Sequence, residues 1–297
     1  MRGGFSTGTG RSRIAAIVAV VVLAAIVGVL AVFALQSTRG GAPAGETMSP
    51  APTFTFGDRT SPNASPTQTS APATAAADER FLAIEGDTMW RATAGQCGGA
   101  APVVEMSTDA GSTWRNLTPA DARQVLGLST FDGNGEVIAA TGDTCEPTAL
   151  RTYTAGVAWE SYPDVLAGST YASPADPASI IVSGSPVAAP CAEPRSVRTS
   201  RGVVGTVCNN TAYAYLDNTW SELTTDAIAL DAVSGAVVVA HTSPDCLTGV
   251  TVTRYTGTEP TPEGCIPDAA PTTPAALSVL GPDTVLWTAD ALLRPTP

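Results

Sequence analysis

Six cysteines, Cys97, Cys145, Cys191, Cys208, Cys246 and Cys265, and one histidine, His241, are the side chains of this chain best suited to metal, redox or nucleophilic chemistry. No Cys-x-x-Cys pair occurs, so the spacing of zinc ribbons and dithiol redox motifs is missing. A tetrahedral zinc site or a Ser-His-Asp triad would have no imidazole but His241 to use. That residue ends an apolar run, Ala236-Val-Val-Val-Ala-His241, and reads as a packed or channel-lining strand residue. Asp132-Gly-Asn-Gly-Glu136 looks like part of a calcium loop but lacks the remaining ligands and the downstream Glu, so a turn between strands is expected. Glu85-Gly-Asp87 and Asp143 to Glu146 fail for the same reason. No metal, no cofactor and no catalytic residue is therefore expected, and in an exported chain the six thiols read as disulfides.

The elements around these residues begin with a membrane signal. Ile14 to Leu35 is a run of 22 residues without a charge, and a helix of about 20 apolar residues spans a bilayer core. Arg2, Arg11 and Arg13 precede it and Arg39 follows, which places the N-terminus in the cytoplasm and the remainder outside. The expectation is a single-pass cell-membrane protein, with 1–13 cytoplasmic and 14–35 a transmembrane signal anchor. A cleaved signal peptide is the alternative, with small-residue sites at Val32-Phe33-Ala34 and Ala42-Pro43-Ala44. Residues 36–78, rich in Ser, Thr, Pro and Ala, bury too little apolar surface to fold and read as a disordered stalk of up to about 130 Å when extended. Pro52-Thr-Phe-Thr-Phe56 is one alternating segment within it. The net charge of −12, with every basic residue an Arg and no basic stripe, excludes nucleic acid as a partner.

Residues 79–297 carry a repeat. Five short apolar runs each follow a turn signal, and their central residues Trp90, Ile138, Ile181, Val238 and Leu286 lie 48, 43, 57 and 48 apart. A period of 40–50 residues with several short strands per unit is the propeller signature. The expected fold is therefore all-β: a β-propeller of about five, or four, antiparallel blades, preceded by the transmembrane helix and the stalk. Ring closure would fall to an N-terminal strand, either Arg80 to Glu85 or Pro52 to Phe56, completing the last blade. The same frame pairs the cysteines. Cys191 and Cys208 enclose a hairpin-sized segment, as do Cys246 and Cys265, which leaves Cys97 and Cys145 in equivalent places of adjacent units.

Ser107-Thr-Asp109-Ala-Gly111-Ser-Thr113-Trp114 resembles the Asp-box of the BNR and sialidase-type propellers, a family that includes sorting receptors and photosystem-assembly factors. The resemblance implies a scaffold turn: Asp109 folds onto backbone N–H groups, Gly111 takes a positive φ and Trp114 packs between sheets. Degenerate copies keep Gly156 and Trp159, with Thr154 in place of the Asp, and Thr219 and Trp220. The composition, without Lys and rich in Ala, Gly, Pro and Thr, resembles high-GC actinobacterial coding. A sialidase-like exo-glycosidase is the enzyme this family suggests, with three arginines drawn from Arg91, Arg151, Arg195, Arg198, Arg201 and Arg254 beside carboxylates at the channel mouth. No Arg-Ile-Pro-like motif is present. The reading adopted is a membrane-anchored, non-catalytic binding or scaffold module at the cell envelope, with a protein or cell-wall glycan ligand.

Overall fold

The computed structural model describes residues 77–295. They form six antiparallel sheets in chain order. Blade 1 holds β1 (Arg80–Glu85), β2 (Thr88–Thr93), β3 (Val103–Ser107) and β4 (Arg115–Asn116). Blade 2 holds β5 (Ala122–Phe131), β6 (Asn134–Thr141), β7 (Glu146–Arg151) and β8 (Glu160–Ser161). A short helix, α1 (Pro163–Gly168), leads into blade 3, which has only β9 (Tyr171–Ala172), β10 (Ser179–Val182) and β11 (Ser185–Ala188). Blade 4 holds β12 (Arg195–Ser200), β13 (Val203–Cys208), β14 (Thr211–Leu216) and β15 (Thr219–Thr224). Blade 5 holds β16 (Ala227–Val233), β17 (Ala236–His241), β18 (Gly249–Thr256) and β19 (Glu259–Pro267). Blade 6 has three strands, β20 (Ala275–Leu280), β21 (Asp283–Thr288) and β22 (Ala291–Leu293). The leading strands β1, β5, β9, β12, β16 and β20 pack successively around a ring, and β20 returns to β1.

Packing explains the apolar runs. Successive side chains of a strand point to opposite faces, and each face of a propeller blade meets another blade. In β17, Val237 and Val239 join the cluster shared with blade 4 through Val203 and Ala214, whereas Val238 and Ala240 join the cluster shared with blade 6 through Leu277 and Leu286. The second strands are thus apolar without alternation. The other interfaces are built likewise, from Trp90 and Val137 between blades 1 and 2, Ile138 and Tyr171 between blades 2 and 3, and Ile180 and Val204 between blades 3 and 4.

Six blades replace the expected five or four. The unit that sequence spacing missed is blade 4. Its second strand, Val203–Cys208, follows a turn at Arg201-Gly202 and carries the same signature as the other runs. Blade 3 is compressed to three short strands, so this run arrives after only 24 residues, from Ile181 to Gly205, and falls inside the 57-residue interval. Ring closure also differs from expectation. Arg80–Glu85 is the leading strand of blade 1, not the missing strand of blade 6. The ring closes by side-chain packing of Leu82, Ile84 and Met89 against Ala276, Val285 and Trp287, and blade 6 keeps three strands. Pro52–Phe56 lies outside the described residues.

The expected single-pass membrane topology is also corrected. Among the described residues no helix is long and apolar enough to cross a membrane, and α1 spans six residues. Residues 14–35, where the anchor was expected, and the stalk up to residue 76 lie outside the described residues.

Candidate functional site

The Ser107–Trp114 turn joins β3 to β4. Asp109 Oδ1 accepts from Thr113 N at 2.8 Å and from Ser107 Oγ at 2.7 Å, and Oδ2 accepts from Thr113 Oγ1 at 2.7 Å. These donors, led by the Thr113 hydroxyl and N–H, lower the Asp109 pKa to about 2. Gly111 has φ +89°, and a Cβ there would collide with Leu292 of blade 6. The second turn copies the wiring with neutral groups. Thr152 Oγ1 accepts from Gly156 N at 2.8 Å as Ser107 Oγ does from Gly111 N, and Thr154 Oγ1 accepts from Ala158 N at 2.9 Å in the place of Asp109. A Cβ at Gly156 would meet Leu117 of blade 1, so in both turns the glycine sits against a leucine of the preceding blade. The tryptophans tie blades together: Trp159 Nε1 donates to Leu117 O at 3.0 Å, and Trp220 Nε1, next to Thr219 in β15, donates to Ala188 O of blade 3 at 2.8 Å. Trp114 Nε1 instead stays within its own turn, on Gly111 O at 3.0 Å. Gly111→Val is expected to cost about 2 kcal/mol or more in urea unfolding, because a β-branched residue at positive φ adds strain to the clash with Leu292. A loss below 0.5 kcal/mol would contradict that packing.

The disulfides are Cys97–Cys145, Cys191–Cys208 and Cys246–Cys265, the pairing the repeat frame suggests. The first joins the β2–β3 loop of blade 1 to the β6–β7 loop of blade 2, and the third lies within blade 5.

The six arginines do not converge. Arg91 pairs with Glu105 across β2 and β3 at 2.7 Å, Arg151 with Glu136 across β6 and β7 at 2.6 Å, and Arg254 with Glu263 in blade 5. Arg201 is exposed in the β12–β13 turn. Arg198 and Arg195 both lie near the Glu79 carboxylate at the centre, and Arg198 also faces Asp231. Arg198 is buried, its guanidinium sits 4.8 Å over the Phe81 ring, and Nη2 donates to Arg80 O at 3.3 Å, so blades 1 and 4 touch across the centre. Glu79 Oε1 accepts from Ser196 N at 2.7 Å, again across the axis, and Asp231 Oδ2 accepts from Val279 N of blade 6 at 2.8 Å. Burial raises the pKa of Glu79 and pushes that of Asp231 up to about 6, opposed in each by Arg198 and backbone donors. Arg195 and Glu79 line a central void of about 10 Å³, room for no more than one water. Sequence reasoning picked Arg198 and Arg195 but passed over Glu79 and Asp231. An acidic residue within an otherwise apolar run, as in Ala227-Ile-Ala-Leu-Asp231-Ala-Val, was the available signal.

The other candidates have structural partners. His241 Nδ1 donates to Thr242 O at 3.1 Å, and Nε2 lies within hydrogen-bond distance of Thr253 Oγ1 at 2.9 Å. Asp132 lies in the β5–β6 hairpin, whose Gly133 N donates to Glu85 at 2.8 Å. Among the described residues no cluster of three or more His, Cys, Asp or Glu can hold a metal. Among the described residues, two solvent-facing features lie in blades 1 to 3. Phe131, Tyr153 and Tyr162 form an aromatic cluster with ring centroids 5.3 and 6.1 Å apart, and Arg151 lies over Phe131 and Tyr162. At the end of β3 away from the Asp109 turn, a cleft of about 650 Å³ opens beside the Cys97–Cys145 disulfide.

This geometry defines a six-bladed β-propeller with a bridged centre. No protein-family model matches the chain, and no curated protein matches it. Among solved structures it is similar to one described as YCF48 bound to D1 peptide, at 14% identity and TM-score 0.40, covering 73% of this chain and 76% of that one. It is also similar to the Bacteroides ovatus xyloglucan-locus GH43B, at 11% identity and TM-score 0.35, covering 72% of this chain and 48% of that one. A third is the GH43 protein BlXynB of Bacillus licheniformis, at 12% identity and TM-score 0.34, covering 70% and 47%.

Proposed function

We propose that this propeller is a non-catalytic binding or scaffold module for a protein or glycan ligand. In this reading residues 79–297 form the binding domain, and Ser107, Asp109, Gly111, Thr113 and Trp114 are parts of its frame, as are Gly156, Trp159, Thr219, Trp220 and the six cysteines. The observation that carries the proposal is the occupation of the arginines and carboxylates. Arg91, Arg151 and Arg254 each neutralise a glutamate of their own blade. A glycosidase of the sialidase type needs arginines free to bind the sugar carboxylate and two carboxyls flanking an open subsite. Here Glu79 and Asp231 hold backbone N–H groups of other blades, and the void beside Glu79, about 10 Å³, is too small for a sugar ring. A partly exposed aromatic cluster adds support, because such surfaces bind partners through amphipathic rings.

The test is turnover by the purified full chain of 4-methylumbelliferyl α-sialoside, α-L-arabinofuranoside and β-xyloside. No release of fluorophore above the buffer rate is expected. Hydrolysis that Glu79→Gln or Asp231→Asn abolishes would overturn the proposal in favour of a glycosidase at the ring axis.

A further inference from the structure

We propose that the cleft beside the Cys97–Cys145 disulfide is a peptide-binding site, selective for an extended, non-acidic segment that carries an apolar side chain. The inference rests on the binding-module reading and gives it a location and a ligand class. Gln124 in β5 and Tyr171 in β9 both line the cleft and are 2% and 7% exposed. Among the described residues neither the Gln124 amide nor the Tyr171 hydroxyl makes a hydrogen bond, although nearly all buried polar groups in a folded protein do. Nor is either group sealed within the core in the way that Trp90 Nε1 and Arg198 Nε are. Their polar atoms therefore reach the cleft, where a ligand or water must satisfy them. Burial raises the Tyr171 pKa, so the hydroxyl stays a neutral donor. The surface aromatic cluster is different in kind, since Tyr162 already donates to Glu160 at 3.2 Å and Arg151 covers two of its rings.

The walls decide the class of ligand. The disulfide, Pro147, Pro174 and Ile181 provide apolar surface, and the one acidic side chain in the lining is Glu146. No arginine lines this cleft, so a phosphate, sulfate or sugar carboxylate would find no counter-charge. Tyr171, the single aromatic residue in the lining, is 7% exposed and offers little ring face for a sugar to stack on. A carboxamide instead presents a donor beside an acceptor, matching the N–H and C=O of a peptide group. Across the disulfide a second hollow of about 280 Å³ shares Gln96 and Cys145 and is lined by Gly98 to Pro102 and by Asp143 and Arg123, which pair with each other at 3.8 Å. A peptide laid over the disulfide would place an apolar residue between Pro174 and Ile181 and a basic neighbour near Glu146.

The experiment screens the full chain by fluorescence anisotropy against a positional-scanning library of N-acetylated, C-amidated hexapeptides, and against neutral xylo-, cello- and chito-oligosaccharides in competition. Pools with Leu, Ile or Pro beside Arg or Lys are expected to bind saturably, and pools with Asp or Glu at those positions are not. Tyr171→Phe should weaken the best pool by about fivefold or more with the melting temperature unchanged, and Gln124→Leu should weaken it further if it folds. No saturable pool, or affinity unchanged in Tyr171→Phe, overturns the site. Displacement by a neutral oligosaccharide at lower concentration than by peptide overturns the peptide assignment. Glycoside turnover would leave this result standing, because it concerns the ring axis, and failure to bind peptide would leave the non-catalytic reading standing.

Discussion

Arg198→Ala is expected to lower the unfolding free energy by about 3–5 kcal/mol at neutral pH, with most of that loss recovered as the pH falls below 6. The guanidinium is buried between blades and offsets the charge of both Asp231 and Glu79. Removing it leaves two carboxylates largely surrounded by protein, with only the weaker fields of Arg195 on Glu79 and Arg254 on Asp231 to offset them, which is the costly half of breaking a buried pair. The direction with pH follows from linkage. Burial raises both carboxyl pKa values above their unfolded values, Asp231 to about 6. A raised carboxyl stabilises the fold in its protonated form, so its contribution is complete below the unfolded pKa and is lost as pH rises through the folded one. For Asp231 the span from 3.8 to about 6 corresponds to at most about 3 kcal/mol, an upper bound because part of the residue still reaches solvent. Without Arg198 both pKa values rise further, so the penalty is largest at pH 7–8 and shrinks toward pH 5. Chemical denaturation of both proteins at pH 5 and 7.5 reads this out. An Arg198→Ala penalty equal at the two pH values would show that the cost is lost packing on Phe81 rather than stranded charge.

Trp90→Ala is the second large effect, expected to cost about 3–5 kcal/mol. Trp90 is fully buried in β2, meets Trp159 of blade 2 edge to face at 5.8 Å, and lies against Gly135, where an added Cβ would come within 3.1 Å of the indole. Its Nε1 has no hydrogen-bond partner, so the ring contributes through volume and dispersion. Blades 1 and 2 share this packing, and the hole left by Ala cannot close without moving one blade against the Cys97–Cys145 bridge. Trp90→Phe should retain most of the stability. Guanidinium unfolding distinguishes the two, and a Trp90→Ala loss below 1 kcal/mol would mean that the interface relaxes freely.

Both residues show how far the chain could be read in advance. Trp90 marked a repeat because a second strand, packed on both faces by other blades, carries consecutive apolar residues without alternation, and such runs are visible in a sequence. The cysteines paired legibly too: Cys191–Cys208 and Cys246–Cys265 each enclose a hairpin-sized segment, and Cys97 and Cys145 hold equivalent positions in adjacent units. Val203–Cys208 had the same pattern after Arg201-Gly202 and was lost only because compressed blade 3 broke the period. Arg198 was visible as an arginine and nothing more. Its meeting with Phe81 joins residues 117 positions apart, and Glu79 reaches Ser196 over the same separation.

What the sequence by itself determined is therefore local and periodic. It comprised the antiparallel repeat, the turn in which Ser107 and Asp109 satisfy nearby N–H groups, and the disulfide frame, all set by side chains within one blade or at matching places in two. The tertiary structure decided the number of blades, the closure of β20 on β1 without an exchanged strand, the pairing of each arginine, the bridging of the centre and the cleft holding Gln124 and Tyr171. Those outcomes depend on which faces meet after the ring has closed. The geometry of closure belongs to the sum of small rotations between blades, and no single segment of the sequence encodes it.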